Sequence, residues 1–132
     1  MPTMKKLTPI LYVERIEPSI PFWVDRLGFE KTAEVPHEDH LGFLILQKDG
    51  VEVMYQTRAS VEADAPAVAE GLTMAGSLLF IEVDDLDWVD RALEGVERVV
   101  PRRKTPYGAD EIFVREPAGN LVGFAQFGAD AS

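Results

Sequence analysis

The sequence predicts an α+β domain made of two tandem βαβββ modules, and three observations predict it. The chain repeats itself at an offset of 70: residues 11–17 lie over residues 81–87, in both cases an apolar strand running into an acidic turn, and Phe43-Leu44 lies over Phe113-Val114. A long unit present twice indicates a duplicated module and not a solenoid, which needs three or more units. Within each copy, one segment of helical periodicity is followed by three strand-like runs. Each copy also places a turn between its last two strands, Asp49-Gly50 in the first and Pro117-Ala118-Gly119-Asn120 in the second.

Module one covers about residues 5–57. Residues 7–13 are rich in apolar and β-branched side chains and read as its first strand. Pro18 suits a first helical turn, where a missing N–H costs nothing. Ile16, Ile20, Trp23 or Val24, and Leu27 recur at helical spacing, and Gly28 stands where a helix closes. Residues 30–35, 42–47 and 51–56 supply the three strands that follow. Residues 58–76 form a connector rich in alanine and acid, interrupted by Pro66 and able to hold one helical turn.

Module two covers about residues 77–127. Its first strand is 77–83, its helix runs from Leu86 to Leu93 with Asp85 as cap and Gly95 as stop, and its remaining strands are 96–100, 111–115 and 121–127. Gly128 to Ser132 is a small-residue tail, expected to fray.

With 132 residues, 46% of them hydrophobic, residues 1–132 have the length and apolar content of one domain with its own core. Acidic residues outnumber basic ones 23 to 13, and the net charge of -10 repels a phosphate backbone, so nucleic acid is not an expected partner. The absence of cysteine removes disulfides, thiolate metal sites and a cysteine nucleophile. No stretch approaches the roughly 20 apolar residues of a membrane span. The first residues lead into a run broken by Pro9 and Glu14, too short for the core of a signal peptide, so a cytoplasmic protein is expected. There is no glycine-rich phosphate loop and no Gly-x-Ser-x-Gly elbow, and both histidines share one segment, which leaves no serine–histidine arrangement.

Two segments carry a family resemblance. Residues 13–29, an aromatic-bearing helix closing on Leu27-Gly28-Phe29, and residues 105–126, containing Tyr107-Gly108 and Pro117-Ala118-Gly119-Asn120-Leu121, resemble the first-module and closing signatures of the vicinal oxygen chelate superfamily, which includes glyoxalases, extradiol dioxygenases and bleomycin-resistance proteins. With the repeat between them, the resemblance spans about residues 5–127 and points to the bleomycin-resistance-like branch. It implies that each module curls its mostly antiparallel sheet into half of a cupped surface. It also implies a homodimer, because relatives often complete each cup across two chains and open sheets leave edges to cover.

Enzymatic relatives place metal ligands, His, Glu or Gln, on the first and last strand of each module. Counting from the Val13 and Val83 anchors, those positions here are Thr8 and Leu78, with Gly123 on the last strand of module two. Aligning Gly50 with Gly119 puts Met54 at the fourth, and keeping the offset of 70 selects Val53 instead. Thr8, Met54, Leu78 and Gly123 cannot supply the nitrogen and oxygen donors that such a divalent metal needs. His37 and His40, in His37-Glu38-Asp39-His40, are expected in a solvated acidic loop. No metal and no cofactor are expected.

Strand alternation then nominates a pocket lining. If Thr8 faces the cup so does Tyr12, with Leu11 and Val13 under the helix; if Leu78 does, Phe80 and Glu82 follow; if Met54 does, Glu52 and Gln56 share its face. Such a lining, apolar and aromatic with few polar groups, is that of a small-molecule site. Glu52 and Glu82 have two readings each, a pair holding a cation or acting as general base, and a wet rim or salt bridge. Tyr107 matches the family's turn at the pocket mouth. Trp23 is expected in the core, and Arg102-Arg103-Lys104 is expected to be a solvated basic loop.

The expected ligand-binding residues are therefore Tyr12, Glu52, Met54, Phe80, Glu82 and Tyr107, with no catalytic residue assigned. The resulting expectation is a metal-free protein that sequesters a small aromatic or cationic organic molecule, as in antibiotic resistance. A metal-independent isomerase or lyase, and a degenerate structural or regulatory subunit, are the alternatives.

Overall fold

The computed structural model describes residues 1–74 and 76–128; of the tail expected to fray, all but Gly128 lies outside the described residues. Module one contains β1 (Ile10–Val13), β2 (Glu30–His37), β3 (His40–Lys48) and β4 (Val51–Thr57), in the order β1-β4-β3-β2. Module two contains β5 (Leu78–Glu82), β6 (Arg98–Lys104), β7 (Ala109–Arg115) and β8 (Leu121–Phe127), in the matching order β5-β8-β7-β6. In both sheets the first strand pairs parallel with the last and the other pairs are antiparallel. The repeat in the sequence is thus a repeat of topology. The result is the expected α+β fold of paired βαβββ modules.

Local chemistry accounts for the elements. Asp49 adopts a left-handed φ of 51° in the two-residue turn that sets Lys48 opposite Val51. Helix α3 (Leu86–Ala92) starts where Asp85 accepts a hydrogen bond from the Trp88 N–H at 3.1 Å. It ends before Gly95, at φ 86°. The connector folds into α1 (Arg58–Asp64) and α2 (Pro66–Ala69), separated at Pro66.

Three expectations need correction. The helix of module one is not α-helical: a 3-10 turn at Glu17–Ser19 leads into a π-helix at Pro21–Arg26. Pro18 falls in the first turn and costs no bond, but Pro21 lacks the N–H that a regular i→i−4 ladder would place on the Glu17 carbonyl, and the backbone rewinds around that gap. Strand β1 starts at Ile10 and not at residue 7, since Pro9 has no N–H to give. Strand β6 runs to Lys104, which places Arg102, Arg103 and Lys104 in a strand and not in a solvated loop; side-chain ion pairs to β7 tie that stretch down.

Both modules bury their helices in one core. Leu11, Val13, Leu44, Leu46, Val53 and Tyr55 from the first sheet join Ile112, Val114, Val122 and Phe124 from the second, around Phe22 and Trp23 of the π-helix, Leu27 at its end, and Leu86, Val89 and Leu93 of module two. Trp23 is wholly buried, as its spacing predicts. Its ring stands edge-on to Phe22 and Phe29.

A buried carboxylate ties the modules together. Glu116, 2% exposed, lies in the turn after β7. Its Oε2 accepts from Tyr55 Oη–H at 2.6 Å and from Ser19 Oγ–H at 3.0 Å; its Oε1 accepts from the Asn120 backbone N–H at 2.7 Å and side-chain amide at 3.2 Å. Tyr55 in turn accepts from Trp23 Nε1–H at 2.8 Å. Burial, reinforced by the neighbouring Glu116 charge, pushes the Tyr55 hydroxyl well above the usual phenol range, so it stays a donor.

Tyr55→Phe strands the Trp23 N–H and removes a donor from Glu116; it is expected to lower the unfolding free energy by about 1–3 kcal/mol. Glu116→Ala, which leaves Ser19, Tyr55 and Asn120 without their shared acceptor, is expected to cost more, about 3–5 kcal/mol. Urea unfolding followed by tryptophan fluorescence measures both. Midpoints unchanged from the parent would show that the network does not hold the modules.

Candidate functional site

Alternation turns a second face of each sheet away from the shared core. In β4, Val53, Tyr55 and Thr57 are buried, while Glu52, Met54 and Gln56 lie opposite and are half-buried. Across the strands this outer face reads in rows: Tyr12–Gln56–Phe43–Val35, then Ile10–Met54–Ile45–Ala33. Ile10 is 52% exposed, whereas Tyr12 on the same face is buried at 8%. The Glu52 side chain, 17% exposed, accepts from Thr8 Oγ1–H at 2.8 Å and pairs with Lys6 Nζ at 2.9 Å. These hydrogen bonds from Lys6 and Thr8 hold the Glu52 carboxyl below its usual range. A carboxylate so held is a poor general base.

The outer face of the second sheet is aromatic. In β5, Leu79 and Ile81 pack on the core while Leu78, Phe80 and Glu82 are exposed. Phe80 stands 6.3 Å from Phe113 and 6.5 Å from Phe127, and Phe127 stands 6.1 Å from Tyr107, ring centre to ring centre. This contiguous platform ends at Tyr107, whose Oη–H donates to Glu111 Oε1 at 2.6 Å. The other oxygen of Glu111 accepts from Arg103 Nε at 3.1 Å and Nη2 at 2.9 Å. The hydrogen bond from Tyr107, with Arg103 behind it, keeps the Glu111 carboxyl below its usual range and raises the Tyr107 hydroxyl. Glu82, one row away, has no ion-pair partner among the described residues.

The six nominated residues do not all converge within one chain. Glu52, Phe80 and Glu82 line one groove of about 370 Å³ with Leu7, Pro9 and Leu78. Glu82 also borders a groove of about 730 Å³ between the modules, with Lys48, Asp49 and Asp84. Tyr12 and Met54 stand on the first sheet, and Tyr107 lies beyond Phe127 on the second.

The residues at the family's metal positions do not fit a metal. Thr8 is engaged with Glu52, Met54 offers a thioether, and Leu78 has no donor atom. At Gly123 the space is taken: a Cβ there would meet the Phe113 ring at 2.5 Å. Among the described residues no three His, Cys, Asp or Glu side chains converge as metal ligands.

Several residues that shape these faces were not legible beforehand. The basic cluster is structural: Arg102 reaches Asp87, Asp90 and Asp110 at 2.8, 3.4 and 3.0 Å. These partners, Asp110 foremost, raise its pKa further. Arg98 donates to the carbonyls of Asp90, Leu93 and Val96 at the end of α3. His37 and His40 pair across the β2–β3 hairpin and are partly buried, in place of the solvated loop expected. Glu38 takes the left-handed φ of 56° that lets the strands meet so closely. The repeat pairs Phe43 with Phe113 but did not reveal their facing, which is outward in both.

The comparisons with known proteins agree with this architecture. The chain superposes on a lactoylglutathione lyase from Agrobacterium tumefaciens, with a TM-score of 0.75 at 17% identity over 96% of each chain. It also superposes on a bleomycin-binding protein from the bleomycin-producing Streptomyces verticillus, in complex with copper(II)-bleomycin, with a TM-score of 0.65 at 25% identity over 97% of this chain and 99% of that one. A bleomycin resistance determinant encoded on the transposon Tn5 gives a TM-score of 0.69 at 17% identity, over 94% and 98% of the two chains. The search of curated proteins found no match. The profile of the Glyoxalase/Bleomycin resistance protein/Dioxygenase superfamily matches residues 6–124, and the chain belongs to that superfamily.

Proposed function

We propose that this protein is a metal-free binder of a small aromatic organic cation, which it sequesters without chemistry, and that its cup is completed by a second copy of the chain. The observation that carries the reading is the pair Gly123 and Phe113. Where an enzymatic relative needs a ligand atom, this chain has a bare backbone position with an aromatic ring laid over it. The position adds surface for stacking and removes coordination.

Charge selects the class of ligand. The rings of Phe80, Phe113, Phe127 and Tyr107 favour a planar partner and, through their quadrupoles, a cation, at about 0.5 to 2 kcal/mol per contact. Glu82 stands beside them without an ion-pair partner among the described residues, whereas Arg102 and Arg103 are already engaged by carboxylates. The net charge of -10 adds a long-range bias of the same sign. The bleomycin-binding and bleomycin-resistance structures on which the chain superposes support a small-molecule-binding role, of the kind that gives resistance to a toxic compound.

The second copy follows from exposure. Ile10, Val35, Leu78 and Phe80 are 49–60% exposed on faces turned away from the chain's own core. Apolar faces of that extent mark association surfaces. A cup closes when the outer face of one chain's first sheet meets the other chain's second.

Light scattering at micromolar concentration is expected to give a mass near twice 14.7 kDa; a mass that stays at the monomer value on concentration overturns the shared cup. Elemental analysis of the dialysed protein is expected to find no stoichiometric zinc, iron, manganese or nickel, with a melting temperature unmoved by chelator. One retained metal per chain contradicts the reading. In calorimetric titrations, cationic planar aromatics are expected to bind more tightly than neutral or anionic ones. Phe80→Ala and Glu82→Gln are each expected to weaken that binding, by about 1–3 kcal/mol. A preference for anions defeats the charge argument.

A further inference from the structure

The first sheet carries a cleft of its own that none of the nominated residues lines. Its floor is the cross-strand row Val35–Phe43–Gln56, its one wall is α1 through Ser60 and Asp64, and its other wall is the β2–β3 hairpin at His37. The cleft measures about 570 Å³, a size that accepts small organic molecules. All of its lining comes from module one and the helix that follows it. A single chain therefore supplies its floor and both walls, on the sheet face that the proposed second copy would roof.

Gly42 makes this cleft possible. It lies in β3, buried, close to a residue of each wall. A Cβ at that position would meet the His37 Cβ at 2.5 Å and the Ser60 Cβ at 3.2 Å. Any side chain at 42 would push the hairpin or α1 away from the sheet. The bare backbone lets His37 and Ser60 both come close to β3.

The polar atoms around the cleft have a sign. Gln56 Nε2–H donates to Ser60 Oγ at 3.1 Å, which uses one of the amide's donors on the protein and leaves its Oε1 as an acceptor. Asp64, one helical turn beyond Ser60 on the same face of α1, is an acceptor that carries a full negative charge. Neither the His37 imidazole nor the Asp64 carboxylate has a hydrogen-bond partner among the described residues, and a neutral imidazole adds a further acceptor. Acceptors and negative charge thus surround an apolar, aromatic floor.

We propose that this cleft is a subsite for an alkyl- or arylamine: the apolar body lies on Val35 and Phe43, and the ammonium donates to Asp64, Gln56 Oε1 and His37. The proposal rests on the small-molecule reading for the sign of the ligand's charge and on the Gly42 geometry for its place. It assigns His37 a binding role, and Gly42 the role of positioning the residues around it.

The test is an amide-resolved NMR titration of the full chain with phenethylamine, with 2-phenylethanol and phenylacetate as neutral and anionic matches. The expected result is saturable shifts at Gly42, Phe43, Gln56 and Ser60 with the amine, and far weaker ones with the other two. Asp64→Asn, an exposed substitution whose folding the same spectrum checks, is expected to weaken amine binding about tenfold, the loss of one charge-assisted hydrogen bond. Gln56→Leu is expected to weaken it as well, and Gly42→Ala to abolish it through the displaced walls. Equal binding of all three probes, or binding unchanged by Asp64→Asn, overturns the subsite. Shifts confined to Phe80, Phe113 and Phe127 overturn it too, but leave the proposed function standing. No saturable shift anywhere on either face defeats both.

Discussion

The carboxylate of Glu116 is the constraint on which the two modules converge. It is buried in the turn between β7 and β8, yet its donors come from the 3-10 turn of module one, from β4 and from its own turn. A buried carboxylate is costly unless its lone pairs are met. Here four donors meet them, and two belong to the other module. Separating the modules would strand the charge, so the network fixes their relative placement more tightly than apolar contact alone, which is non-directional. The outer faces are held where they are because this inner lock does not slide.

Much of the fold was legible in the sequence because it rests on local rules. Alternation grouped Phe80 and Glu82 with Leu78, and Glu52 and Gln56 with Met54, and both sheets keep those groupings on their outer faces. Asp85, Gly28 and Asp49 marked a cap, a stop and a turn through chemistry that acts within a few residues. What was not legible depends on partners far along the chain. Glu116 looks like any turn residue until Tyr55 and Ser19 are beside it, and β6 reads as ending at Val100 because nothing local reveals that Asp110 and Glu111 will neutralise its arginines. The winding of the first helix was hidden for another reason: a proline suits a helix start, as Pro18 does, but Pro21 stands one turn further on, where its missing N–H makes the i→i−4 ladder yield.

The candidate site was legible by facing and not by assembly. Periodicity tells which side of a strand a residue takes, and Met54, Phe80 and Glu82 take the expected one. It does not tell that Glu52 is neutralised by Lys6 from an otherwise exposed leading segment, or that Tyr107 is tethered to Glu111. The cleft at His37 was invisible because its maker is a missing atom: Gly42 reads in the sequence as a weak strand residue, and only the approach of His37 and Ser60 gives its bareness a purpose.

The two glycines show how one architecture yields surfaces of different chemistry. At Gly123 the absent side chain admits a ring from the same sheet, and the result is a flat aromatic platform. At Gly42 it admits a hairpin and a helix, and the result is a cleft with polar walls. In both cases the backbone could be approached closely because nothing projects from it. The electrostatics of the two surfaces agree although their shapes differ. The arginines of β6 are engaged by Asp87, Asp90, Asp110 and Glu111, and Glu52 is matched by Lys6, while Glu82 at the platform and Asp64 at the cleft have no such match among the described residues. Carboxylates that face no cation of their own make the local potential more negative and so favour an incoming one, and they act most strongly where an apolar floor keeps water sparse. The cation preference proposed for this chain thus rests on which acidic side chains its own basic residues leave unmatched, more than on its net charge.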